Sequence, residues 1–326
     1  MIFEGPPGVG KGTSARWLAM AVNCERSGDA AGAGGSGAGA SGAGAVPCGV
    51  CWSCRSILRD QHPDIIQVGL DPEKATPIIS VKQARELLSQ LSLHPFHARR
   101  RMIIIDPADA LNPEAANALL KTLEEPPQAT GFVLVTSRPM DLLPTVRSRG
   151  QRVRFGPVEA GRLVPWLESR DVEQAEELAR LGEGCPLRAL ALAEGGLQAW
   201  REARDTLVAA IGGGTAARLA WSEKHARGER AEVSGEIALC LDALQLLMRD
   251  VLHRLASGAP AERLYNSDRL ELVDAWADRL GYLGLVRLDQ AMREAQLDLE
   301  ANVNPRLAMD ALLSRFGAEL RPGRSA

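Results

Sequence analysis

The chain has 326 residues, 45% hydrophobic and 24% charged, which suffices for packed cores and excludes a disordered, collagen-like or coiled-coil fibre. That length fits about two domains, or three small ones. A formal charge of −3 argues against a protein whose main work is coating nucleic acid.

No apolar stretch reaches the roughly 18 residues of a membrane-spanning helix, so no membrane partner is expected. The opening Met-Ile-Phe-Glu-Gly-Pro-Pro-Gly lacks the basic-then-apolar pattern of a secretory signal. The six cysteines are therefore expected to be reduced, and a tight cluster of them reads as metal ligation before disulfides.

Ile2-Phe3-Glu4 reads as the end of a strand, because Gly5-Pro6-Pro7-Gly8-Val9-Gly10 is a turn. Thr13 to Cys24 follows as a helix, with Trp17, Met20 and Ala21 at core-facing spacing. Opening a domain on half a strand points to a true start upstream or a lost N-terminal helix. Residues 27–45 are almost all Gly, Ala and Ser and are expected to be a flexible insert. Asp64–Val68 reads as a short strand, and Ser80 as the N-cap of a helix carrying Val81, Ala84, Leu87, Leu88 and Leu91 on one face.

Met102–Asp106 is an apolar run ending in an acid, as a central parallel strand would be. Asn112-Pro113 supplies an N-cap and a first-turn proline for the helix Glu114–Glu124, which Pro126-Pro127 stops. Phe132–Thr136 and Val153–Phe155 complete the strands. Beyond Gly156-Pro157 the pattern turns helical: three short helices over 158–211 and a glycine hinge at 212–214. A long stripe follows (Ile237, Leu241, Leu244, Met248, Val251, Leu255), and Asn304-Pro305 opens a last helix. The expected fold is α/β then all-α: a P-loop domain over 1–156, a small helical domain over 157–212 and a larger helical one over 213–326.

Gly5-x-x-x-x-Gly10-Lys11, with Gly8 inside it, is a phosphate loop: backbone N–H groups cradle phosphate oxygens and Lys11 adds a point charge. The pattern asks next for a hydroxyl that ligates Mg²⁺, but Gly12 stands there and Thr13 comes one residue late. Asp106 ends a strand where such folds hold the metal's water shell. The residue after it is Pro107, which has no side chain to accept a proton, so useful ATP hydrolysis is not expected.

Cys48-x-x-Cys51-x-x-Cys54 with Cys24 gives four thiolates, the ligand number of a closed structural Zn²⁺ site (24–54). Iron–sulfur ligation uses similar spacing but implies electron transfer, which nothing else here suggests. Cys185 and Cys240 sit in apolar helical settings and read as core. Arg147-Ser148-Arg149 by itself reads as a solvated loop at a domain edge.

These features together resemble the delta-prime clamp-loader subunits of bacterial DNA polymerase III, a family within AAA+. The likeness covers nearly the whole chain. It rests on the phosphate loop, the four cysteines, the run Asn117-Ala118-Leu119-Leu120-Lys121-Thr122-Leu123-Glu124-Glu125-Pro126-Pro127, Arg147-Ser148-Arg149 and the Asn304-Pro305 helix.

The resemblance implies an AAA+ (RecA-like) domain with an inserted zinc module, a helical lid and a C-terminal helical collar. It further implies a cytoplasmic heteropentamer with gamma/tau motor and delta subunits, belonging to a DNA-directed DNA polymerase holoenzyme. That pentamer places a sliding clamp on primed DNA. The family's Ser-Arg-Cys arginine, which enters a neighbour's ATP site, maps onto Ser148 and Arg149, with Gly150 replacing the cysteine. Sensor-1 maps to Thr136 or Ser137. Leu187 takes the place of the motor subunits' sensor-2 arginine, and Arg188 is off by one.

The reading is a stator that does not hydrolyse ATP itself, with ATP or ADP binding left open. An active gamma/tau-like motor, a nucleotide kinase suggested by Gly10-Lys11-Gly12-Thr13, and a zinc-ribbon nucleic-acid module are the alternatives.

Overall fold

Apolar runs that are continuous rather than alternating become strands buried on both faces. The computed structural model describes residues 1–26, 46–71, 78–91, 94–226, 230–258, 260–301 and 303–321; the expected flexible insert at 27–45 lies outside the described residues. These residues divide into two units: Met1–Glu159 with Gly184–Leu187, and Ala160–Glu183 with Arg188–Ala326.

The first unit is built on five parallel strands, β1 (Ile2–Glu4), β2 (Ile65–Val68), β3 (Arg101–Ile105), β4 (Thr130–Thr136) and β5 (Arg152–Arg154). Their order, β2-β3-β4-β1-β5, places β1 between β4 and β5. This is the RecA-like AAA+ sheet that the resemblance implied.

Successive side chains leave a strand on opposite faces. Ile2, Ile103, Ile105, Phe132 and Leu134 therefore pack on one side with α3 (Val81–Leu91) and α4 (Pro113–Glu124). Phe3, Met102, Ile104, Val133 and Val135 pack on the other with Ala15 and Ala19 of α1 (Lys11–Asn23). On α1 the buried residues are Lys11, Ala15, Ala19, Met20, Ala21 and Asn23, while Trp17 is 47% exposed. The expectation of a core-facing Trp17 was wrong because small alanines, not the large ring, let α1 approach the sheet.

The capping signals act as expected. Asn112 Oδ1 accepts from Ala115 N at 2.7 Å, and Asn304 Oδ1 accepts from Arg306 N at 2.9 Å. Ser80 and Gln83 bond reciprocally in a capping box. A short helix, α2 (Trp52–Leu58), carries Cys54 and follows the Cys48–Cys51 turn.

The second unit is helical: α6 (Ala160–Glu168), α7 (Ala175–Leu181), part of α8 (Pro186–Ala191), α9 (Leu197–Gly212), α10 (Gly214–His225), α11 (Arg230–Ser257), α12 (Leu270–Glu300) and α13 (Pro305–Glu319); α5 (Pro144–Arg147) belongs to the first unit. Helices α6, α7, α8 and the 16-residue α9 replace the three short ones expected before the triple glycine. The glycines form a tight break, and Leu207 and Ile211 before it share one core with Trp221 after it. The α11 stripe enters that core as expected. Arg204 is buried and bonds Asp205, Asn266 and Asp268, fixing α9 to the turn before α12.

The fully buried Asp64 carboxylate accepts from the backbone N–H groups of Phe96, His97 and Ala98 at 2.8–2.9 Å and faces Arg101 at 3.4 Å. Burial works against its charge, but those donors outweigh it and hold its pKa below the usual carboxylate value. The resulting stability is present above the unfolded value of about 4 and disappears as pH falls through the lower folded one. Asp64→Asn removes the carboxylate that faces the buried Arg101 guanidinium. It is expected to cost about 3 kcal/mol or more in urea denaturation at pH 7, and less at pH 3.

Candidate functional site

In an all-parallel sheet every strand ends at the same edge, so the segments following β1, β3 and β4 converge there. The phosphate loop leaves β1, Asp106 follows β3 and Ser137 follows β4. A cavity of about 360 Å³ at that edge is lined by Gly8, Gly10, Lys11, Gly12, Thr13, Asp106 and Ser137, with Arg16, Gln67, Pro107 and Leu187. Sequence analysis had not singled out Arg16 or Gln67.

Gly5 is not in the lining but shapes the loop: a Cβ there would lie 2.2 Å from the Phe155 carbonyl oxygen, so only glycine lets the chain pass. Gly10 caps α1 in the left-handed conformation (φ 98°), where glycine is unstrained.

Lys11 is buried and folded back into its own loop. Its ammonium donates to the carbonyl oxygens of Gly5 (2.8 Å) and Pro6 (2.7 Å) and to Ser137 Oγ (3.0 Å). Burial lowers its pKa, against the pull of Asp106 and Asp109. Burial likewise raises that of Asp106, which Lys11 and Arg16 partly offset.

At Gly12, a Cβ would meet Asp106 Oδ2 at 2.6 Å, so the Asp106 carboxylate crowds the position from which a metal-binding hydroxyl would project. Thr136 Oγ1 is committed to Asp109 Oδ1 at 2.6 Å, leaving Ser137 as the sensor-1 candidate that faces Lys11. Asp109 was missed in the sequence; only its place three residues past the strand-end acid could have marked it. Arg188 is held by Glu183 (3.0 Å) and Asp242 (2.6 Å), and it is Leu187 that lines the cavity, its N–H donating to Gly8 O at 3.2 Å.

Arg149 and Ser148 lie elsewhere, between α5 and β5. Arg149 pairs through Nε with Glu124 and donates through Nη1 to Thr145 O at 2.7 Å; Ser148 Oγ donates to the same carbonyl at 3.1 Å. Because β5 runs parallel to β1, this turn sits at the N-terminal end of that strand pair, while the phosphate loop sits at the C-terminal end. Beside it, a Cβ on Gly150 would fall 2.4 Å from Cγ1 and 2.5 Å from Cδ1 of the fully buried Ile2. The turn has room for glycine and not for cysteine.

The four sulfurs of Cys24, Cys48, Cys51 and Cys54 lie within 4.8 Å of one another and can hold a metal ion. The donor chemistry fits. Cys48, Cys51 and Cys54 N–H groups donate to Cys24, Cys48 and Cys51 Sγ at 3.3–3.4 Å. Backbone donors lower the Cys48 thiol to about 6, whereas burial pushes Cys54 up to about 12.

A family model described as DNA polymerase III, delta subunit, matches residues 1–159. The chain is 29% identical to DNA polymerase III subunit delta-prime of Pseudomonas aeruginosa, over 99% of this chain and 92% of that protein. It is also 38% identical to subunit delta-prime of Escherichia coli, over 50% of this chain and 48% of that protein. To subunit tau of Escherichia coli it is 30% identical, over 78% of this chain and 39% of that protein. These matches make the chain similar to the delta-prime and tau subunits of DNA polymerase III.

Gly150 is the family motif's point of departure, and its packing is testable. Gly150→Cys is expected to cost about 1–3 kcal/mol through overpacking. In an Ile2→Ala background the added cost should fall by more than about 1 kcal/mol, read as non-additivity in a double-mutant unfolding cycle.

Proposed function

We propose that this chain is the delta-prime-type stator of a DNA polymerase III clamp loader, inactive as an ATPase, and that Arg149 completes the ATP site of a neighbouring motor subunit. The reading extends to partners of the gamma/tau and delta kinds in a heteropentamer that loads a sliding clamp on primed DNA. It also takes the cytoplasm as the setting, and an AAA+, lid and collar organisation divided near residues 156 and 212.

One observation carries it. Arg149 and the phosphate loop lie at opposite ends of the β1–β5 pair, separated by the length of a three-residue strand, roughly 10 Å. An arginine there cannot serve its own chain's loop, and its exposed guanidinium is available to a partner. An arginine finger works by stabilising charge on the transferred phosphoryl group, and that needs only a correctly placed guanidinium. Gly150 in place of cysteine leaves that charge intact.

The chain's own loop supports the other half of the reading. Lys11 is already bonded to three protein oxygens, Gly12 supplies no metal-ligating oxygen and Pro107 supplies no base. The same features speak against an active motor or a nucleotide kinase. ATP or ADP can be held only where a phosphate displaces the Lys11 bonds.

The cysteine cluster is proposed to hold one structural Zn²⁺. A full shell of four thiolates leaves no open position, so the ion's contribution is to tie the end of α1 to α2.

In a reconstituted loader, Arg149→Ala is expected to slow the site it completes on the order of 10³-fold. DNA- and clamp-stimulated ATP turnover should then fall by at least that site's share; unchanged turnover refutes the finger assignment. The isolated chain should turn over ATP no faster than its Lys11→Ala variant. Metal analysis should find one zinc per chain, and Cys54→Ser should lower both zinc content and melting temperature.

A further inference from the structure

We infer that Glu124 is the positioning residue for Arg149: it braces the guanidinium so that one edge is offered outward to an anionic oxygen of a neighbour's nucleotide. This rests on the proposed finger role.

Helix α4 ends in Glu124 and Glu125, just where the helix dipole disfavours negative charge. Lys121 in the same turn offsets part of this. The Glu124 carboxylate, however, turns to Arg149 and accepts from Nε. On the next nitrogen, Nη1 donates to the Thr145 carbonyl at 2.7 Å. Nη2 makes no hydrogen bond among the described residues. Two supports thus fix the plane of the guanidinium and leave its Nη2 edge uncommitted.

The neighbouring Arg147 is not held this way. Its Nη1 approaches Met140 Sδ at 3.0 Å, and no carboxylate bonds it among the described residues. Of the two arginines in the motif, only Arg149 is oriented.

Stability does not explain the pair. Both side chains are substantially exposed, 34% for Arg149 and 45% for Glu124, and such surface pairs contribute little to folding. An arginine, by contrast, loses much rotamer freedom when it docks, and a brace removes part of that loss in advance. The benefit then appears when a phosphate is engaged rather than in the folding of this chain.

The test is a double-mutant cycle in the reconstituted loader, with complex assembly checked by co-elution. Glu124→Gln is expected to lower kcat for ATP by about tenfold at the site concerned, with KM unchanged. Arg149→Ala should be slower still, and adding Glu124→Gln to it should change nothing further. Wild-type or faster turnover in Glu124→Gln, or an additive loss in the double variant, overturns the positioning role while leaving the finger intact. Wild-type turnover in Arg149→Ala overturns the finger reading itself, and the positioning role with it.

Discussion

The parallel pairing of β1 with β5 is the constraint on which the functional geometry hangs. Only three residues long, β1 would be a weak strand alone, yet it lies inside the sheet, between β4 and β5. Its backbone is paired on both sides, and its last residue, Glu4, meets Arg152 at 2.8 Å and Arg154 at 3.0 Å. Burial disfavours the Glu4 charge, and the two β5 arginines more than compensate, keeping its pKa low. The same ion pairs fix register: Glu4 stands opposite Arg154, so Ile2 stands opposite Arg152, and Gly150 is brought onto Ile2. A one-residue slip would send Ile2 and Phe3 to the wrong faces.

From that register follow two sites at opposite ends of one strand pair. One end of the pair releases the phosphate loop; the other receives the turn bearing Arg149. The proposed role on a partner's nucleotide draws on that separation. The closure is electrostatic as much as steric. Lys11 is hydrogen-bonded in place by two carbonyl oxygens and a hydroxyl, and the Asp106 carboxylate crowds Gly12.

Much of this was legible in the sequence because it depended on local rules. A glycine-rich turn between strand and helix, two Asn-Pro caps and a heptad-like stripe in α11 all announce themselves within a few residues. What escaped depended on partners far along the chain. Trp17 had the right helical spacing for burial, but the sheet admits only the alanines beside it. Gly281 breaks α12 with a positive φ that no flanking pattern announced. The Gly150–Ile2 contact joins residues 148 positions apart, and nothing in a Ser-Arg-Gly triplet states what lies beneath it. Asp109 and Glu124 carry no local mark of their contacts because their partners, Thr136 and Arg149, are set by tertiary structure.

Gly12 and Asp106 are sterically coupled. Any residue larger than glycine at position 12 places its Cβ within 2.6 Å of the Asp106 carboxylate and must push it aside. Burial already makes that carboxylate costly to keep charged, and Lys11 and Arg16 are what offset the cost. Moving it would leave Lys11 with less compensation. A hydroxyl restored at position 12 would therefore disturb the charge balance that holds the closed loop together. An incoming phosphate faces the same arrangement from the other side. It must first break three Lys11 hydrogen bonds, each worth about 1 kcal/mol net, which lowers affinity by roughly two orders of magnitude before any new bond forms. The Lys11 bonds thus hold the loop as an ordered turn, which accords with the proposed stator role.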